Sequence, residues 1–98
     1  MTAMSFLGGS AVTMARDIAD GYHSVSERTF RAMSTPEIEQ LSAEIDRQLR
    51  DARATPAPLN DLMALKARNR RIQRLNTVTM MLRAYKQKLR QRGAVPSR

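Results

Sequence analysis

From Leu59 to Arg92 the chain runs without a glycine or a proline, the longest such interval in its 98 residues. Thr55-Pro56 stands at its head and Gly93 and Pro96 follow its end, the punctuation of a helix with a start and a stop. This pattern predicts one long basic helix over 56–92. Within it Ile72, Leu75, Thr79, Leu82 and Leu89 recur at steps of three and four, flanked by Val78 and Tyr85, so one stripe is built for burial. Arg70, Arg74, Lys88 and Arg92 fall on the opposite side. The run Val78-Thr79-Met80-Met81-Leu82 places apolar atoms on more than one side of a turn, which calls for two covering neighbours. The Met pair reads first as adaptable core filler and second as a docking surface for a partner helix.

Such a helix needs something to pack on, and the preceding segment supplies it. Ser34-Thr35-Pro36-Glu37 combines a hydroxyl cap, a proline in the first turn and a glutamate three residues on, the pattern of a capping box. Ile38, Leu41, Ile45, Leu49 and Ala52 then step by three and four, predicting a helix over 36–53. The link Thr55-Pro56-Ala57-Pro58 leaves little slack, so the two helices should fold back as an antiparallel hairpin. Folding at Pro56 would bring Glu44 and Asp46 close to residues 66–70. The long helix would then overhang by its second half, from about Asn76 to Arg92, whose stripe must be covered by the N-terminal segment or by another chain. Upstream, Ser10 to Ala19 can form a helix with Val12, Met14, Ala15 and Ile18 inward. Gly21 should bend or end it, and Ser24-Val25-Ser26-Glu27 offers a fresh cap for a piece reaching about Ala32 with Tyr22, Val25 and Phe30 inward. Periodicity leaves open whether 10–33 is one bent helix or two. The expected fold is an all-α small helical bundle built on an antiparallel helical hairpin with one long C-terminal helix. It forms a single domain over 10–93, with a flexible start at 1–9 and a frayed tail at 94–98.

Composition narrows the function. Only Phe6, Tyr22, Phe30 and Tyr85 are aromatic, so the core must come from Leu, Ile, Val, Met and Ala, which suits helices better than a sheet. There is no cysteine for disulfides or thiolate metal sites, and the start lacks the basic head and apolar length of a cleaved signal. A cytoplasmic location is expected. With so few residues, one core gives modest stability, and a homo-oligomer, most simply a dimer, is expected. The net charge of +8 is uneven: six Lys/Arg stand against all nine acids up to Asp61, a balance of −3, whereas eleven Lys/Arg and no acid follow from Leu62 onward.

His23 is the only histidine and reads as a surface or helix-end residue, and the carboxylates lie on solvent faces without partners that would separate their pKa values. These residues argue against an enzyme, a metal site or a bound cofactor. Gly8-Gly9-Ser10 lacks the lysine and preceding strand of a phosphate loop. Two candidate surfaces remain, both on the long helix. One docks a protein partner through Val78, Met81, Leu82, Tyr85 and Leu89, rimmed by Arg83, Lys86 and Arg90. The other binds nucleic acid or an acidic protein surface through Lys66, Arg68, Arg70, Arg71 and Arg74, since arginine forks contact phosphates and base edges. The apolar stripe runs through this cluster and no compact helix-turn-helix is present, which favours non-specific phosphate contact over sequence reading. The leading expectation is thus a non-catalytic protein-protein interaction module docking through the long helix.

The layout over Ser34 to Arg90, with Thr55-Pro56-Ala57-Pro58 at the link and Asn76-Thr77-Val78-Thr79 in the closing helix, is similar in outline to small helical-hairpin proteins of bacterial export machines. Type III secretion needle subunits and their co-chaperones are examples. That resemblance implies a hairpin component or co-chaperone of such a machine.

Overall fold

A computed structural model describes residues 9–56 and 59–94, with side chains through Gln91. The fold is all-α, and the described residues form four helices: α1 (Ala11–Ala19), α2 (Glu27–Arg31), α3 (Thr35–Ala54) and α4 (Leu62–Ala94). The expectations for residues 1–8 and 95–98 lie outside the described residues.

The Ser10 hydroxyl caps α1 by accepting from the Thr13 amide at 3.1 Å. The helix closes on Gly21 in the left-handed region, φ +85. There the Tyr22 amide donates to the Asp17 carbonyl at 2.8 Å and the Gly21 amide to Ile18 at 3.1 Å. That pair of bonds is the Schellman closure, and it requires a residue without a Cβ penalty at positive φ. The segment 10–33 is therefore two helices joined by residues 20–26. Two expectations there fail: Tyr22 is 76% exposed because it lies just past the closure, and Val12 points outward from α1. Phe30 is buried, and Val25 is half-buried against the core.

The capping box of α3 forms as its sequence predicts, with the Ser34 amide donating to Glu37 Oε1 at 2.7 Å and the Glu37 amide to the Ser34 hydroxyl at 3.3 Å. Ile38, Leu41, Ile45 and Leu49 are all buried.

The long helix begins later than expected. Its cap is Asp61, whose carboxylate accepts from the Ala64 amide at 3.0 Å, and not the Thr55-Pro56 pair. An aspartate at that position satisfies an orphan amide and complements the positive end of the helix dipole, which the prolines upstream cannot do. At the other end the helix continues through Gly93 to Ala94.

Shifting the start of α4 by six residues changes what covers what. α3 has 20 residues and α4 has 33, roughly 30 Å against 50 Å at 1.5 Å per residue. Cross-helix bonds set the register: Arg53 Nη2 donates to Asn76 Oδ1 at 3.0 Å, and Lys86 Nζ to Ser42 Oγ at 2.9 Å and Glu39 Oε1 at 3.2 Å. The antiparallel hairpin is present, but α3 lies along the second half of α4, and the overhang is the first three turns, residues 62–71. α1 packs against both α3 and α4, and α2 packs on α4. The core is shared by Met14, Ala15, Ile18 and Ala19 of α1, Phe30 of α2, Met33, the four apolar residues of α3, and Leu75, Val78, Leu82 and Tyr85 of α4. The Phe30 and Tyr85 rings meet at 5.6 Å, tilted by 45°.

Candidate functional site

The stripe foreseen as a protein-docking face is consumed within the chain. Val78, Leu82 and Tyr85 are buried, and Met81 and Leu89 pack against the same core. Lys86 is engaged by α3 through Glu39 and Ser42, and of the proposed rim only Arg83 and Arg90 stand exposed. A sequence register taken from Pro56 leaves this half to the N-terminal segment or another chain; in the fold the N-terminal α1 and α2 do cover it, and the register starting at Asp61 adds α3. The Met pair divides: Met81 fills the core margin, while Met80 faces solvent at 69% exposure.

The basic cluster divides as well. Lys66 and Arg70 are exposed on the overhang without a partner among the described residues. Arg68 Nε donates to the Thr55 carbonyl at 3.3 Å, tethering the link to α4. Arg71 pairs with Asp20, and Arg74 Nη1 donates to the Ala19 carbonyl at 3.1 Å. Periodicity alone puts Arg74 outward with Arg70; in the fold it closes the end of α1 instead, because α1 lies on that side of α4. Leu62 and Met63 at the tip are 62% and 78% exposed, as is Leu59 just before them at 96%.

The acids do not meet the region foreseen for them. Glu44 accepts from its neighbour Arg47 at 2.7 Å, and that hydrogen bond, with the carboxylate charge, holds the Arg47 guanidinium above its ordinary pKa. Asp51 also lies beside Arg47, at 3.5 Å. The ion pairs reaching α4 run from Glu39 to Lys86, Glu27 to Lys88 and Asp20 to Arg71. None of them touches Lys66 or Arg70, so the overhang keeps its positive charge.

Sequence reasoning missed a second basic row. The C-terminal part of α3 lies beside α4, and Arg50 and Arg53 line one cleft with Asn76, Met80 and Arg83. Asp46 is the carboxylate of that lining. The i, i+3 spacing of Arg50 and Arg53 was visible, but which part of α4 they face depends on the register. Between this row and Arg70 runs the outward face of α4, headed by Lys66 and continued by Asn69, Gln73, Thr77, Met80, Ala84, Gln87 and Gln91, these seven all exposed and uncharged.

His23 Nε2 stands 3.5 Å from Asp17 at the end of α1, a helix-end position as its surroundings suggest. Among the described residues no group of three or more His, Cys, Asp or Glu could hold a metal ion, and no helix is long and apolar enough to cross a membrane. Compared with protein-family models, curated proteins and solved structures, the chain matches none of them.

Proposed function

We propose that this chain is a non-catalytic binding module that takes a polyanionic partner on the outward side of α4, led by its overhanging first turns. The observation that carries this reading is the overhang itself. Residues 62–71 extend past the end of α3 and present Lys66 and Arg70, unpaired among the described residues, on a segment that contains no acid. Charge left unmatched within a fold raises the local concentration of oppositely charged partners and speeds their approach. The groups offered there are ammonium, guanidinium and amide, which donate hydrogen bonds to anionic oxygens. That inventory supports binding over turnover.

The test is retention on immobilised heparin at low ionic strength, comparing the parent with Lys66→Glu/Arg70→Glu. The double variant should elute at clearly lower salt while its thermal midpoint stays close to that of the parent, because both side chains stand in solvent. A parent protein that flows through the column at low salt removes the polyanion reading.

A further inference from the structure

We infer that the outward face of α4 seats in the major groove of duplex DNA, with its neutral seam against the base edges and the flanking basic rows on the two phosphate rails. The inference rests on the polyanion reading above and goes further, naming the partner and the side chains that meet it.

The seam is the first observation. Asn69, Gln73, Thr77, Met80, Ala84, Gln87 and Gln91 step by four, four, three, four, three and four, which keeps them on one side of a helix with 3.6 residues per turn. All are exposed, and all are uncharged in a stretch where eleven Lys/Arg follow Leu62. An acidic protein surface would be matched by a continuous basic face. A neutral strip between basic rows matches a groove whose floor is uncharged and whose edges are phosphate.

The second observation is that the flanks come from two helices. On one side stands Arg70, while Lys66, three residues before Asn69, heads the seam itself. On the other, Arg83 of α4 is joined by Arg50 and Arg53 of α3, which the hairpin register brings to the same cleft. Past Arg83 the next basic group on the Arg70 side, Lys88, is paired with Glu27, so Gln73, Thr77 and Met80 are the residues placed over bases. A straight helix follows a curving groove for only a few turns, and this window is the part of α4 that can be read. Asn76 and Asn69 are excluded, because their side-chain oxygens accept from Arg53 and Arg68.

Dimensions and chemistry agree on the type of duplex. A helix about 10–12 Å across fits the roughly 12 Å major groove of B-form DNA, while the major groove of A-form RNA is too narrow to admit it. Asn and Gln amides pair with the N6 and N7 edge of adenine, and threonine methyl and other apolar groups contact the thymine methyl. The window from Gln73 to Met80 holds an amide and apolar groups but no arginine or lysine to read guanine, so the expected preference is for A·T pairs.

The experiment measures fluorescence anisotropy of the full chain with an A·T-rich duplex, a G·C-rich duplex of equal length and poly-glutamate, across a salt series. Three proteins are compared: the parent, Gln73→Ala/Thr77→Ala and Arg50→Gln/Arg53→Gln, each checked for unchanged helicity. The parent should prefer the A·T duplex by roughly tenfold. The seam variant should lose that preference and keep the salt slope. The α3 variant should keep the preference and flatten the slope of log K by about 0.9 for every phosphate it no longer neutralises. Equal binding of both duplexes, with the seam variant unchanged, overturns the groove inference and leaves non-specific phosphate binding. Tight binding of poly-glutamate with weak binding of DNA also overturns it and gives the face to an acidic protein, for which Leu62 and Met63 would add apolar contact. Binding of neither probe removes the polyanion reading together with the inference.

Discussion

Gly21 and Arg74 show how much a single position decides. Gly21 sits at φ +85 to close α1, and a Cβ added there would stand 2.9 Å from Arg74 Cζ. Arg74 is held against that turn by its bond to the Ala19 carbonyl. Gly21→Ala is expected to destabilise the protein by about 1–2 kcal/mol, the cost of an L side chain in the left-handed region. Pushing the guanidinium away from Ala19 should add to this, since a net hydrogen bond to a charged group contributes about 1.5–3 kcal/mol before screening at a half-exposed position reduces it. Gly9 has φ +94, but a Cβ added there would meet nothing within 4 Å, so Gly9→Ala isolates the backbone part alone. Thermal unfolding followed by circular dichroism should rank the variants parent, Gly9→Ala, Gly21→Ala in falling midpoint. A Gly21→Ala protein no less stable than Gly9→Ala would mean that Arg74 contributes nothing to holding α1 on α4.

At the scale of the element, the start of α4 matters more than its length. Asp61 accepts from the Ala64 amide, and the Asp61 carbonyl accepts from Leu65 at 3.0 Å, so the helix is anchored at this residue. Asp61→Ala should cost about 1 kcal/mol. It should also raise hydrogen exchange at Ala64 and its neighbours while leaving residues 75–85 protected, because those are fixed by the core. Asp61→Asn keeps a capping oxygen and should restore most of the protection. Equal exchange in Asp61→Ala and the parent would show that packing, not the cap, sets the helix start. The same logic explains the contrast with α3. There the cap, the proline and the first apolar residue all lie within five positions, so local chemistry and tertiary packing specify the same boundary.

The whole molecule is elongated, with a radius of gyration of 15.4 Å against about 13 Å for a compact domain of this size. Its length comes from α4, whose first three turns project past the covered remainder. Leu82→Asp places a carboxylate where the side chain is 1% exposed, and should cost more than about 4 kcal/mol, a large part of a small domain's total stability. Loss of helicity at room temperature, seen by circular dichroism, is the expected outcome. Leu62→Asp at the projecting tip should stay within about 0.5 kcal/mol of the parent. If both variants melted alike, the tip would be covered too, and the overhang would not exist as a free surface.

Some of this was written in the chain. Three and four residue spacings on α3 and α4, the Ser34–Glu37 box, the closure at Gly21 and the concentration of Lys/Arg after Leu62 are local patterns, and local rules of helix capping and amphipathicity are sufficient to read them. They specified an all-α hairpin with a long basic C-terminal helix. The register of that hairpin was beyond their reach. A stripe repeating every three or four residues presents nearly the same face when slid by seven, so periodicity cannot choose between covering the first half of α4 and covering the second. Tertiary packing chose: Phe30 against Tyr85, Lys86 against Glu39 and Ser42, and Arg53 against Asn76 are satisfied together in the register observed. That choice buried Val78, Leu82 and Tyr85, turned Arg74 inward to α1, brought Arg50 and Arg53 beside Arg83, and left Lys66 and Arg70 in water.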